Sequence, residues 1–249
     1  MTHLLLKSKR EAPARKSAAD ITEVFSSIQG EGPLIGIRQI FVRFKKCNMR
    51  CAFCDIREDL ASLLYSTREL LDAIEELESS SGPHHSISLT GGEPLLYSDY
   101  LKGFLQDARR PRLGVYLETN GTLPGRLEQV LSFIDYIAMD FKLPSSTQER
   151  PFWDEHKEFL TIASRERKYI FVKAVITADT SADDIMRTVA ILKEVDAAIP
   201  LILQPATFIG KESDPVTIGS LVSFMKRGLE QGLREVRIIP QVHKILGVR

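Results

Sequence analysis

Two rhythms of hydrophobic and polar positions take turns along this chain. Arg38-Gln39-Ile40-Phe41-Val42-Arg43-Phe44 is a β-branched and aromatic run of strand length. Similar runs are Ser86-Ile87-Ser88-Leu89-Thr90, Gly114 to Glu118, Tyr136 to Asp140, Tyr169 to Ile176, Ile199 to Leu203 and Glu235 to Ile239. Between them, Thr67 to Glu78 places Leu70, Leu71, Ile74 and Leu77 at helical spacing, with Ser66 or Thr67 able to cap it. Further helical stretches are expected near 97–110, 125–133, 154–166, 182–197 and 215–231. Strands alternating with helices predict parallel βαβ units in an α/β fold. No internal repeat or low-complexity linker divides the chain, so residues 21–249 read as one domain.

Length and charge narrow the function classes. With 249 residues and 43% hydrophobic content, the chain can bury a full α/β core. Lys plus Arg and Asp plus Glu both number 33, a balance that argues against a polyanion such as nucleic acid as partner. No apolar run approaches membrane-spanning length, so no membrane is expected. Residues 1–20, with the run Lys7 to Lys16, read as a loosely ordered polar arm. Their early acidic residues argue against a mitochondrial leader, and no signal peptide is visible.

The chain's three cysteines, Cys47, Cys51 and Cys54, lie within eight positions as C-x3-C-x2-C. Three thiolates are one short of the usual Cys₄ set of a 4Fe–4S cube, so a cube held this way keeps one iron open. Zinc is an alternative, but it wants four ligands, and His3, His84, His85, His156 and His243 show no matching spacing. A disulfide with a spare thiol would suit a secreted chain, and chance clustering is the remaining reading. A thiolate-held cluster needs a reducing compartment, which points to the cytoplasm.

Nearly every chemically loaded motif follows the C-terminal end of a strand, where parallel barrels build active sites. In Thr90-Gly91-Gly92-Glu93-Pro94 two glycines permit close backbone approach, and Glu93 could accept hydrogen bonds from a bound amine. Together with the cysteine spacing and Phe53 before the third cysteine, this segment resembles the radical S-adenosylmethionine (SAM) superfamily. Four further stretches resemble the 7-carboxy-7-deazaguanine synthase (QueE) family: Gln29-Gly30-Glu31-Gly32, Glu118-Thr119-Asn120-Gly121-Thr122, Asp140-Phe141-Lys142 with Pro144-Ser145-Ser146, and Gln241-Val242-His243-Lys244. They occur in the family's order over residues 21–249.

Strand–helix alternation is shared by open barrels and doubly wound sheets. The resemblance implies a partial, open TIM-type barrel with about six parallel strands. It implies a lyase that converts 6-carboxy-5,6,7,8-tetrahydropterin to 7-carboxy-7-deazaguanine with loss of ammonia, using a 4Fe–4S cluster and SAM. An external donor, flavodoxin or ferredoxin, would supply the electron, and the chain would form a homodimer. By the same resemblance Phe53, Cys54, Asp55, Gly92, Glu93, Asp140, Lys142 and Gln204 would surround SAM. The substrate would meet Ile28, Gln29, Gly30, Glu31, Arg43, Thr90, His243 and Arg249. Gln29 and Glu31 match the amide and amine edge of a pterin, and Arg43 offers a charged fork for its carboxylate.

One departure stands out. The family's third cysteine is followed by Asp and a hydroxyl residue that helps hold Mg²⁺, whereas this chain has Asp55-Ile56. Isoleucine offers no oxygen to a hard cation. Mg²⁺ would then depend on Asp55, water and substrate, or a cation such as Arg57 or Lys46 would replace it. Two rivals stay open from the residues: another radical SAM enzyme, such as an activase, and a non-enzymatic iron–sulfur or zinc module.

Overall fold

The structure is a computed structural model that describes residues 18–55, 60–108, 112–166, 168–207 and 216–248. The strands are β1 (Ala18–Ile28), β2 (Arg38–Phe44), β3 (Leu63–Ser66), β4 (Ser86–Gly91), β5 (Gly114–Thr119), β6 (Tyr136–Asp140), β7 (Tyr169–Ile176), β8 (Leu201–Pro205) and β9 (Val236–Ile238). The helices are α1 (Thr67–Ser81), α2 (Ser98–Ala108), α3 (Pro124–Leu127), α4 (Pro144–Thr147), α5 (Trp153–Ala163), α6 (Ala182–Asp196), α7 (Ile218–Glu230) and α8 (Val242–Leu246).

Among the described residues nine strands form one sheet in the order β3-β1-β2-β4-β5-β6-β7-β8-β9. Successive parallel pairings from β2 to β9 join seven strands, one more than expected. The two ends of the order do not pair, so the barrel is open. Two strands were not foreseen. β1 and β3 extend the sheet by antiparallel pairing, with Ala18 opposite Ser66 and Phe25 opposite Phe41. Only Ala18, Ala19 and Ile21 of β1 are fully buried, and its many polar residues hide the strand pattern. Residues 18–20 therefore belong to the sheet rather than to the N-terminal arm, whose residues 1–17 lie outside the described residues.

Helix α1 begins where its sequence predicts. Ser66 accepts from the Glu69 backbone N–H, and Glu69 accepts in return from the Ser66 N–H, a reciprocal cap. The stretch near 125–133 is two short turns, α3 and a 3₁₀ turn at Leu131–Phe133, which still seat Leu127, Val130 and Leu131 in the core.

Alternation within each parallel strand separates two faces. Ile40, Val42, Ile87, Leu89, Leu117 and Ile137 pack outward into one large core with Leu70, Leu101, Phe104 and Phe159 of the helices. Burying each such side chain contributes about 1.5–3 kcal/mol. Inward, near the strand starts, a smaller cluster of Tyr116, Ala138, Phe171 and Ile202 is closed by Leu34 and Ile239. Gly32, at φ +67°, lets this plug form, since a Cβ there would lie 2.5 Å from the Phe171 ring. Above the plug the inner face opens into a cleft at the strands' C-terminal ends. Among the described residues no helix is long and apolar enough to cross a membrane.

Candidate active site

The cysteine loop leaves β2 and is held in place by backbone. The Gly92 N–H donates to Phe44 O at 2.8 Å and the Glu93 N–H to Lys46 O at 2.7 Å, so the ladder between β2 and β4 runs on past both strands. Gly91 takes φ +110°, and a Cβ on Gly92 would lie 2.2 Å from Lys46 O. The two glycines thus serve the approach of the cysteine loop itself. Farther along, Ala52 N–H donates to Thr147 O at 2.9 Å, and Cys54 N–H to Cys51 O at 3.0 Å.

Cys47, Cys51 and Cys54 are free and line one cleft. Burial pushes Cys47 up and Cys51 to about 11, while the nearby Lys142 pulls the other way. Such thiols give up protons readily only to a strongly positive partner, which iron supplies. Three free thiols lining one polar cleft fit an open iron–sulfur cluster with a small molecule beside it.

Glu93 stands behind this wall rather than on it. Its fully buried carboxylate accepts from the Leu95 N–H (3.0 Å), the Thr119 hydroxyl (2.9 Å) and the Asn120 N–H (2.8 Å). Burial carries it up to about 7 against those three donors. Through these donors it ties the Gly-Gly turn to the turn after β5. That second turn grips the cysteine loop in its own right: Asn120 Nδ2 donates to Asn48 Oδ1, and Asn48 Nδ2 to Thr122 Oγ1, both at 2.8 Å. Buried His156, held down to about 4 by its surroundings, lies 3.1 Å from Asn120 O.

Across the cleft floor runs a polar row. Gln39 Nε2 donates to Ser86 Oγ (2.8 Å), and Gln29 Nε2 donates to Gln39 Oε1 (3.0 Å) and Glu118 Oε1 (2.9 Å). Thr90 Oγ1 donates to Glu118 Oε2 at 2.7 Å. Glu118 was quoted above only as part of a turn motif, and the structure makes it the hub of this row.

The charged wall is a second network. Lys173 Nζ bonds Glu31 and lies 3.3 Å from Asp140 Oδ1, while Lys142 Nζ donates to Asp140 Oδ2 at 2.8 Å. Asp140 and Lys173 are register partners on β6 and β7. Burial alone would raise Glu31, but Lys173 and Gln241 hold it at about 2. Burial would likewise lower both lysines, yet Asp140 foremost carries them above the ordinary lysine value. Lys142 also lies 5.6 Å from the centre of the Phe53 ring. Sequence reasoning missed Lys173. Its signal was a lone charge inside the apolar run Tyr169 to Ile176.

The C-terminal segment straps the site together. Val242 N–H donates to Gly30 O (2.9 Å), Gln241 Nε2 to Glu31 Oε1 (2.7 Å), and Lys244 Nζ to Asp55 Oδ2 (2.7 Å). A Cβ on Gly30 would lie 2.2 Å from His243 Nδ1. Burial works to raise Asp55, but Lys244 brings it below the ordinary carboxylate value.

The structure therefore gathers Ile28, Gln29, Gly30, Glu31, Arg43, Thr90 and His243 into the same cleft as Phe53, Asp55, Gly92, Asp140, Lys142 and Gln204. Arg43 also turns Nε toward Glu23 (3.0 Å) and lies 5.8 Å from the Phe25 ring centre. Gln204 is 2% exposed with its Oε1 unpartnered, an acceptor left for a ligand. Lys46 pairs with Asp20 at 3.1 Å and is not the cation beside Asp55. Ile56, Arg57 and Arg249 lie outside the described residues.

Comparison with known proteins agrees with this geometry. The Radical SAM superfamily profile matches residues 41–198. The 7-carboxy-7-deazaguanine synthase of Geobacter sulfurreducens is 40% identical over 93% of this chain and 98% of its own. That of Methanothermobacter thermautotrophicus is 36% identical over the same shares. Among solved structures, QueE from Escherichia coli superposes with a TM-score of 0.55 at 16% identity, covering 91% of this chain and 95% of its own. A radical SAM methyltransferase from Sphaerobacter thermophilus gives 0.61 at 11% identity, over 84% and 67%. At such identities the structural likeness speaks for the fold.

Proposed function

The chain belongs to the 7-carboxy-7-deazaguanine synthase family of radical SAM enzymes, and on that premise we propose that it rearranges 6-carboxy-5,6,7,8-tetrahydropterin to 7-carboxy-7-deazaguanine with loss of ammonia. The observation that carries the reading is the meeting of the three cysteines with the Gln29–Glu118–Thr90 row in one cleft. A pterin edge presents ring N–H and amine donors beside a carbonyl acceptor. Glu118 and Glu31 are acceptors for the former, and the backbone of Ile28 and Gly30 with the Thr90 hydroxyl completes the match.

Cys47, Cys51 and Cys54 would hold the cluster. Phe53, Gly92, Asp140, Lys142 and Gln204 would hold SAM, with Glu93 acting from behind by fixing the turn that carries Gly92. When bound, the cluster and SAM supply the one-electron chemistry that starts the reaction. The side chains bind, orient and exclude water. Arg43 offers the substrate carboxylate a guanidinium fork whose Nε is braced by Glu23. Lys173 keeps Glu31 and Asp140 ionised and still, joining the substrate side of the cleft to the SAM side.

The partners we assign are a flavodoxin or ferredoxin as electron donor and a second copy of this chain, in the cytoplasm. Leu63 and Leu64, 40% and 50% exposed on edge strand β3, are apolar surface that such a contact could use. The decisive experiment mixes anaerobically reconstituted protein, SAM, reductant and the carboxypterin, and follows 7-carboxy-7-deazaguanine by mass. SAM cleavage without that product would redirect the assignment to another radical SAM substrate.

A further inference from the structure

Resting on the reading above, we infer that Lys244 is the fixed cation beside Asp55, and that this chain holds the substrate carboxylate with an ammonium group where a divalent ion would otherwise sit. Two observations converge on it. The Asp55 carboxylate, the one side chain of the Asp55-Ile56 pair able to ligate a hard cation, is already engaged by Lys244 Nζ at 2.7 Å. The next residue in the sequence, Ile56, has a hydrocarbon side chain that offers no oxygen.

The geometry suits the substitution. Lys244 and Asp55 both line the cleft, the ammonium 15% exposed and the carboxylate 52% exposed, so the cation is the more enclosed of the two. An ammonium has three donors. One goes to Asp55 and a second lies 3.4 Å from Thr207 O, which leaves the third for an incoming carboxylate. The other cleft lysines are more heavily committed, Lys142 to Asp140 and Lys173 to both Glu31 and Asp140. Lys244 is carried by α8, which the Val242–Gly30 and Gln241–Glu31 bonds dock independently of it. The strap therefore sets its Nζ beside Asp55.

The test has two arms, both on the reconstituted full-length enzyme. In the first, Mn²⁺ stands in for Mg²⁺ and its binding is read by electron paramagnetic resonance with SAM and the carboxypterin present. The unmodified protein should leave Mn²⁺ free, and stoichiometric bound Mn²⁺ overturns the inference. In the second, equilibrium binding in metal-free buffer compares the carboxypterin with the same tetrahydropterin lacking its carboxylate. Lys244→Met should weaken the carboxylated ligand about ten- to hundredfold and leave the other unchanged, the scale of one charged hydrogen bond. Lys244→Arg, which keeps the charge, should recover most of that loss. Equal weakening of both ligands, or an arginine variant as impaired as the methionine one, overturns the cation role. If neither pterin binds the unmodified protein, the substrate assignment fails, and the Mn²⁺ arm still decides whether the position beside Asp55 accepts a metal.

Discussion

The two faces of the parallel sheet come from the same strands and follow opposite rules. Outward positions are aliphatic from end to end: Val115 and Leu117 of β5, Ile137 and Met139 of β6, Val172 and Ala174 of β7. Inward positions change character along the strand. Tyr116 is followed two residues later by Glu118, Ala138 by Asp140, Phe171 by Lys173 and Ile202 by Gln204. The early member closes the base and the late one faces the cleft, because successive inward residues climb the sheet by two rises. The comparison separates two tasks. The outward face stabilises by area and tolerates any shape that fills it, whereas the inward face depends on which charge stands opposite which.

If that division holds, the inward rim should fail in function and the outward face in stability. The largest effect belongs to the cysteine loop. Cys54→Ala should abolish the cluster's broad visible absorbance and SAM cleavage together, since two thiolates cannot hold the cube. A variant that still cleaves SAM at the normal rate would remove the loop from the chemistry.

Lys173→Met comes next, because it leaves the half-buried Glu31 and Asp140 without their shared cation. Breaking such a network costs about 3–5 kcal/mol, measurable by urea unfolding. A loss under about 1 kcal/mol would mean that the inward charges behave like solvated surface groups.

Adjacent residues of β5 sharpen the contrast. Leu117→Ala, at a fully buried outward position, should cost about 2–5 kcal/mol while the folded fraction keeps its kcat and KM. Glu118→Gln should stay within about 1 kcal/mol of the parent. It takes an acceptor from the row, so carboxypterin turnover should fall about tenfold or more. Comparable stability losses for both variants would erase the distinction between the faces.

The smallest effect is in acid. Glu31 has a folded pKa of about 2 against an ordinary 4.5, so its contribution is complete above about pH 4.5 and fades as pH falls toward 2. Glu31→Gln should flatten the decline of the urea midpoint between about pH 5 and about pH 3. An equally steep decline in the variant would locate the acid sensitivity in other carboxylates.

Local rules reached far into this protein. The cysteine triplet, the Gly-Gly turn, the cap at Ser66 and the alternation of strands with helices all depend on residues within a few positions of one another, and each was legible. So was the family, through short motifs in a fixed order. Strand β1 was not, since it is satisfied by pairing on both sides rather than by an apolar stripe of its own. The cleft's charge pattern was hidden for a related reason. Glu31 meets Lys173 across 142 residues and Gln241 across 210, and Lys244 reaches Asp55 across 189. In the sequence each of these is a lone charged or polar residue among several. Only the sheet's register and the docking of the C-terminal strap select its partner, because a buried charge is stable only where the fold brings its counter-charge within a few ångströms.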